Sequence, residues 1–300
     1  MTAMPEAGTP HITDTADTTV FFPQTLNDLL ALRRQRPDAI PVAGGTWLLH
    51  NQNSRFLKLP RAVIALHHIE ELHRIARTES RLDIGAGVSI NKLLSVSRNI
   101  LPPVLRDTLL SIATPGIRSL ATLGGNTCIE GRSMSTHPTL HILDARLEFR
   151  RAGASRWVPA THARTDGKLC IEPGEVLTRI RIPLEHWNVQ YFRRLGSNPF
   201  SGTEDVVVFA AIARTDRASI TDLRFAIGSN HLNIYRNREL ETHLAGRKIP
   251  LSRREISGFL QNLEEDLKEK QPGIRDIFRD RSLLLAGRLL ANLPVDAGEQ

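Results

Sequence analysis

Two cysteines, two tyrosines and three tryptophans are all that 300 residues contain of those types. Cys128 and Cys170 form no CxxC pair and have no clustered histidines beside them, so the chain supplies neither a zinc centre nor the thiolates of an iron–sulfur cluster. They read as reduced, inert thiols. Long apolar runs are missing as well: "VVVFAAIA" at 206–213 is strand length, far short of the roughly 18 to 20 residues that cross a bilayer. The opening "MTAMPEAGTPHITDTADTT" lacks the basic start and apolar stretch of a secretion signal. It reads as a disordered polar tail, and the protein is expected in the cytoplasm without a membrane anchor.

Catalytic spacing is absent too. No Ser-His-Asp or Cys-His arrangement can be drawn, so any enzymatic chemistry has to come from a bound cofactor. The formal charge of +7 comes from arginines spread along the chain, with no aromatic-basic repeat. Nucleic acid is therefore not the expected partner; an acidic protein or an anionic cofactor accounts for a diffuse excess. No internal repeat is present.

What is present is an alternation of helical and extended patterns. Residues 25–39 read as an amphipathic helix stopped by Pro37, followed by the strand "IPVA". "RAVIAL" (61–66) and "RLDIGAG" (81–87) read as strands, with a short helical turn into a strand at 69–77. "SINKLLSVS" and "LPPVLRDTLLSIA" read as helices started by Ser89 and by paired prolines. "PTLHILDARLEFRR" (138–151) begins as helix and ends as strand, and "EPGEVLTRIRIP" (172–183) ends in a half-buried strand. Periodicity fades at "LEHWNV", which places a domain boundary near residue 186. Three strands and two amphipathic helices follow, a small α+β domain. The last helix, "IRDIFRDRSLLLAGRLLANL", has more apolar residues than one stripe needs; they either fill a deep core or meet another chain.

Two glycine pairs stand out, each read as the end of an apolar strand-like run: Gly44-Gly45 in "IPVAGGTWLLHN" and Gly124-Gly125 in "ATPGIRSLATLGGNTC". A tight turn needs at most one residue at positive φ. The second glycine is either part of a plain turn or a place where a phosphate approaches too closely for a Cβ. The pairs His67/His68 and His137/His141 offer no third ligand, and histidines so spaced are expected on wet surfaces rather than around a metal. Asp144 is expected to act locally, turning the chain before a strand.

In this order, "VAGGTWLL", "LDIGAGVSINKL", "ATPGIRSLATLGGN", "LDA" at 143–145, "PGEVLTRIRIP" and "DIFRDRSLLLAGRLL" resemble the flavoprotein subunits of molybdenum hydroxylases, the family of xanthine dehydrogenase and carbon monoxide dehydrogenase. The resemblance implies an α+β chain: a disordered tail (1–20), a PCMH-type FAD-binding domain of two α/β subdomains (21–185), and a small α+β domain (186–294) similar to the carboxy-terminal domain of the CO dehydrogenase flavoprotein. It implies FAD as cofactor, with both glycine pairs on the pyrophosphate. Residues carried over are Ala43, Gly44, Gly45, Thr46 and Trp47 in the first loop, and Thr122, Leu123, Gly124, Gly125 and Asn126 in the second. Ile112 and Leu177 match positions lining the flavin or adenine pocket, and Arg193 stands where some members have a lysine near the flavin.

The resemblance also implies partners, an iron–sulfur small subunit and a molybdopterin large subunit, and a role in passing electrons from the clusters through FAD to an acceptor. Three positions depart from the family pattern: Trp47 replaces an acidic residue, Arg132 a proline, and Ser135 an aspartate that hydrogen-bonds the flavin side. These departures keep open a degenerate scaffold that binds no flavin; a stand-alone flavin reductase is a further alternative.

Overall fold

The computed structural model describes residues 18–50, 52, 59–96, 100–196, 206–229 and 232–294. Strand β1 (Thr19–Phe21) is followed by helix α1 (Leu26–Gln35), β2 (Ile40–Val42), the short α2 (Thr46–His50) and β3 (Ala62–Ala65). Of the tail expected over 1–20, residues 1–17 lie outside the described residues, whereas Thr19 and Val20 pair with Ala62 and Val63 in a strand. Thr25 and Asp28 start α1 with a reciprocal capping box, and the helix ends at Arg36, just before Pro37. The three strands form a parallel sheet in the order β1-β3-β2, and Leu26, Leu29 and Leu30 of α1 pack with its Ile64.

A single turn of 3-10 helix (Glu70–His73) leads into β4 (Ile75–Arg77) and β5 (Arg81–Gly85). Five helices come next: α3 (Ile90–Ser95), α4 (Pro103–Leu110), α5 (Pro115–Leu120), α6 (Leu123–Thr127) and α7 (Thr136–Ile142). The chain continues through β6 (Arg146–Arg151), β7 (Ala154–Pro159), a ribbon of β8 (Arg164–Thr165) and β9 (Lys168–Leu169), and β10 (Val176–Pro183). Strands β4-β5-β10-β6-β7 make an antiparallel sheet in that order. On β10, alternation sends Ile180 and Ile182 into the main core and leaves Arg179 and Arg181 on the opposite face. The second glycine pair does not follow a strand, as its sequence suggested. It lies inside α6, directly after α5, because Pro115 sets the first turn of one helix and Thr122 caps the next.

The last part is an antiparallel meander of β11 (Val189–Leu195), β12 (Val207–Asp216), β13 (Ser219–Ser229) and β14 (Leu232–Tyr235), followed by α8 (Arg238–His243), α9 (Arg253–Lys270) and α10 (Asp276–Ala291). The run "VVVFAAIA" is apolar throughout because β12 is buried on both faces. Val208, Ala210 and Ile212 join the core under α4 and α7, while Val207, Phe209 and Ala211 join the core under α9 and α10. The apolar excess of α10 is mostly core: Phe278, Leu285, Leu289 and Leu290 are buried there, and only Ile277 and Leu284 are largely exposed.

Helix α7 joins the two halves. All seven of its residues are buried, and it packs against α4, β12 and β13. Contact is close at Gly228 of β13, where a Cβ would stand 2.5 Å from Ser133 Oγ and 2.7 Å from Pro138 Cγ. Beyond the helix, Asp144 does turn the chain at φ 46, but it is more than a local device. Its carboxylate accepts from Arg224 at 2.7 Å and from Arg236 at 2.9 Å, both from the meander. Arg236 also donates to Glu241 at 2.9 Å and to the His141 carbonyl at 2.5 Å.

Gly228→Ala tests this packing. A proline ring cannot swing away as a flexible side chain can, so the variant is expected to lose about 1–3 kcal/mol of stability, read as a lowered urea midpoint at unchanged slope. An unaltered midpoint would mean that α7 and β13 are not in tight contact.

Candidate functional site

The first glycine turn leaves β2 and enters α2. Gly45 has φ 66, the left-handed region that glycine enters without steric cost. Gly44 is required for a different reason: a Cβ there would lie 1.8 Å from the Leu120 carbonyl oxygen at the end of α5. The N–H groups of Gly44 and Gly45 donate to no acceptor among the described residues. Neither α2 nor α5 buries a single residue, and Leu49, Ile117 and Leu120 are 54%, 41% and 60% exposed. Two unspent backbone donors thus lie beside apolar side chains that the protein itself does not cover.

The second turn is spent internally. The Thr122 hydroxyl accepts from Gly125 N at 3.0 Å, Leu123 N donates to the Val88 carbonyl at 3.1 Å, Gly124 N to the Ala86 carbonyl at 3.0 Å, and Asn126 N to the Thr122 carbonyl at 2.9 Å. A Cβ on Gly124 would lie 2.5 Å from the Ala86 carbonyl oxygen. Close backbone contact by itself requires glycine at one position of each pair. Gly44 and Gly124 have protein backbone lying against them, and of the two glycine pairs only Gly44-Gly45 has N–H groups with no acceptor among the described residues.

Arg118 locks the approach to this region. Its guanidinium donates to the carbonyls of Leu110, Ile112 and Ala113 at 3.2, 2.8 and 2.9 Å and so holds Ala113 at φ 42. Asn91 secures the other side of α5, donating to the Pro115 carbonyl at 2.8 Å and Ser119 Oγ at 2.7 Å. Ile112 is half-buried against the main core, Leu177 is wholly within it on β10, and Ser135 precedes α7 without a capping bond. Arg193 lies on β11, its guanidinium 4.8 Å from the centre of the Tyr191 ring. The structure thus brings the two turns together, but Leu177 serves the core and Arg193 belongs to the four-stranded sheet. Two of the departures meet: the Arg132 guanidinium stands 5.1 Å from the centre of the Trp47 ring, which is stacked on His50.

Behind the second turn is a buried polar network that sequence reasoning missed. Asn126 Oδ1 accepts from Thr136 Oγ1 at 2.6 Å, and Met134 N donates to His137 Nδ1 at 3.1 Å. That bond leaves the proton on His137 Nε2, which is 3.3 Å from the Asn126 carbonyl. The only signal in the sequence was the unusual density of polar residues in "THPTLHILDA", next to apolar positions that must be buried. His137 and His141 are 3% and 8% exposed, so the expectation of a wet surface is overturned. Burial holds the His137 imidazole well below its usual range, and burial, followed by the Arg236 charge, lowers that of His141 to about 4. Burial likewise pushes the Cys128 thiol up to about 12. Among the described residues no three His, Cys, Asp or Glu side chains come together as metal ligands, and no helix is long and apolar enough to cross a membrane.

The two histidines give the fold a pH dependence. Both are neutral when folded and take up a proton near pH 6.5 when unfolded, so their contribution is complete above pH 6.5 and is lost as pH falls below it, for His141 down to about 4. For His141 alone the loss between pH 7 and pH 5 is about 2 kcal/mol. Urea unfolding across that range is expected to show it. His141→Gln should flatten the slope, and an equally steep slope in the variant would assign it to other groups.

Comparison with known proteins follows the same lines. Residues 15–185 match the family model described as the FAD binding domain in molybdopterin dehydrogenase. The xanthine dehydrogenase FAD-binding subunit of Escherichia coli O157:H7 is 33% identical over 215 residues, covering 68% of this chain and 71% of that protein. The carbon monoxide dehydrogenase medium chain of Afipia carboxidovorans is 32% identical over 165 residues, 54% of this chain and 57% of that one. Among solved structures, a chain of Cu,Mo-CO dehydrogenase superimposes with a TM-score of 0.76 at 23% identity, covering 92% of this chain and 95% of that one. Quinoline 2-oxidoreductase from Pseudomonas putida 86 gives 0.75 at 22% identity, over 91% and 94% of the two chains. These likenesses in structure establish the fold, and the sequence matches establish that the chain belongs to the FAD-binding subunits of the molybdenum hydroxylase family of oxidoreductases.

Proposed function

We propose that this chain is the electron-transfer subunit of a cytoplasmic molybdenum hydroxylase complex, receiving electrons from an iron–sulfur small subunit while a molybdopterin large subunit carries out the substrate chemistry. FAD, when bound, supplies the redox chemistry by accepting electrons singly or in pairs and handing them to an acceptor. In this reading residues 21–185, joined by Thr19 and Val20 of β1, form the FAD-binding domain and 186–294 the carboxy-terminal domain.

The observation that carries this reading is the first turn. Gly44 and Gly45 present N–H groups with no acceptor among the described residues, next to Thr46, the arrangement that receives a pyrophosphate. The end of α5, Leu120 and Ala121, is the wall on which that turn rests, and the donors of the segment that follows, Leu123–Asn126, are committed to the protein. Leu49, Ile117 and Leu120 offer apolar surface for the ring systems of the cofactor. The Arg132 guanidinium over Trp47 adds a cation to the same region, which suits an anionic ligand.

The test combines spectroscopy with a pair of variants. The purified chain is expected to show or take up flavin, seen as absorbance near about 450 nm. Gly44→Ala drives a methyl into the Leu120 carbonyl and displaces the turn, so FAD should bind at least about tenfold more weakly. Gly45→Ala meets nothing closer than Val42 Cγ1 at 3.9 Å and bears only the strain of its positive φ, about 1 kcal/mol, so it should keep most of its affinity. Equal FAD affinity in wild type and Gly44→Ala would remove the turn from the site. Absence of flavin uptake by the wild type would favour the scaffold reading, and failure to co-purify with co-expressed small and large subunits would refute the complex.

A further inference from the structure

The face of the five-stranded sheet turned away from α3–α7 carries a ladder of alternating charge. Arg181 donates twice to Asp83, at 2.7 and 2.9 Å; Arg179 stands 3.6 Å from Asp83 and 3.2 Å from Glu148. The next residue on that face of β6 is Arg150, two positions beyond Glu148 and opposite Ser155 of β7. Here the alternation stops. Arg150 makes no ion pair among the described residues, and its Nε is buried without a hydrogen-bond partner.

Helix α1 lies over this edge of the sheet, and a cavity of about 400 Å³ separates the two. Asn27, Leu30 and Arg34 line it from the helix, and Arg150, Arg151 and Ser155 from the β6–β7 hairpin. Among the described residues no carboxylate lines it. Glu172 pairs with Arg151 at 3.1 Å and Glu148 lies behind Ser155 at 3.3 Å, while among the described residues neither the exposed Arg34 nor the half-buried Arg150 makes an ion pair. Like charges around one cavity repel, and a buried guanidinium N–H without an acceptor is a rare and unfavourable state in a folded protein. An anion removes both penalties.

We propose that this cavity is a binding site for a small phosphate-bearing anion, separate from the FAD site and sharing no residue with it. Guanidinium forks match the oxygens of a phosphate, and the Asn27 amide adds a neutral donor, whereas the Ser155 hydroxyl already donates to Glu148 Oε1 at 3.3 Å. The volume exceeds what inorganic phosphate alone fills and lies in the range of small-molecule sites. Leu30 and the methyls of Ala31 and Ala154 supply an apolar wall for the rest of the ligand, so an organic phosphate suits the site better than the free ion.

Thermal unfolding of the full chain, with and without saturating FAD and at constant ionic strength, tests the proposal. Inorganic phosphate and adenosine monophosphate are each titrated into wild type, Arg150→Gln and Arg34→Gln. The expected result is a saturable rise of the wild-type midpoint in both FAD conditions, with the organic phosphate effective at about tenfold lower concentration. Each variant should need about tenfold more ligand for the same rise. Equal potency of the two anions would support the site with free phosphate as its ligand. A variant response matching wild type, or no saturable rise with either anion into the millimolar range, would overturn the proposal. If Arg150→Gln does not fold, Arg34→Gln on the opposite wall tests the same cavity by itself. Because the readout does not depend on flavin, loss of FAD binding and loss of this site are seen separately.

Discussion

The complete burial of α7 is the constraint on which the rest of the structure depends. Seven residues that include two histidines and two threonines are removed from water on all sides, and each polar group needs a partner inside the protein. Thr139 meets Thr108 of α4 at 2.7 Å, Thr136 meets Asn126 of α6 at 2.6 Å, and His137 reaches the Asn126 carbonyl. The second glycine turn is therefore fixed from behind by the helix that joins the halves of the molecule. Gly228 allows β13 to lie against the other side of that helix, so the four-stranded sheet is held in place by the same element.

Electrostatics reinforces this junction. Asp144, immediately beyond α7, is shared by Arg224 and Arg236, and Arg236 is itself shared with Glu241, which also accepts from Phe225 N at 2.9 Å. Arg236 is 8% exposed at its side chain, so removing either carboxylate leaves a largely desolvated cation short of a partner. A single aspartate in a turn thereby ties the meander region to the link between α7 and β6 of the five-stranded sheet. This linkage makes the relative placement of the two parts a property of side chains in both.

The glycine turns divide their work between packing and binding. Gly44 and Gly124 let one backbone rest on another, and Gly45 lets the chain turn. What remains for a ligand is narrower than two glycine pairs suggest: two N–H groups on the first turn, held in position by its contact with α5. Arg118 and Asn91 then matter because they hold α5, and with it the wall behind the donors. The Trp47–Arg132 stack joins the first loop to the segment that leads into α7, so substitutions that look independent along the chain form a single contact.

Local chemistry was legible in the sequence. Pro37 ends α1, Ser89 caps α3, paired prolines begin α4, and the switch from helix to strand within 138–151 appears as α7 followed by β6. These features depend on residues close in the chain, whose steric and hydrogen-bonding preferences act before any tertiary contact forms. The order of motifs likewise determined the family and its cofactor. Only the tertiary structure decided that the second glycine pair lies in a helix, that His137 and His141 are buried and neutral, and that Asp144 reaches two arginines 80 and 92 residues away. Burial and long-range pairing depend on which surfaces meet. A histidine four residues from another has the same local pattern on a wet helix as on one enclosed between a sheet and other helices, and the solvent it loses is set by segments distant in the chain.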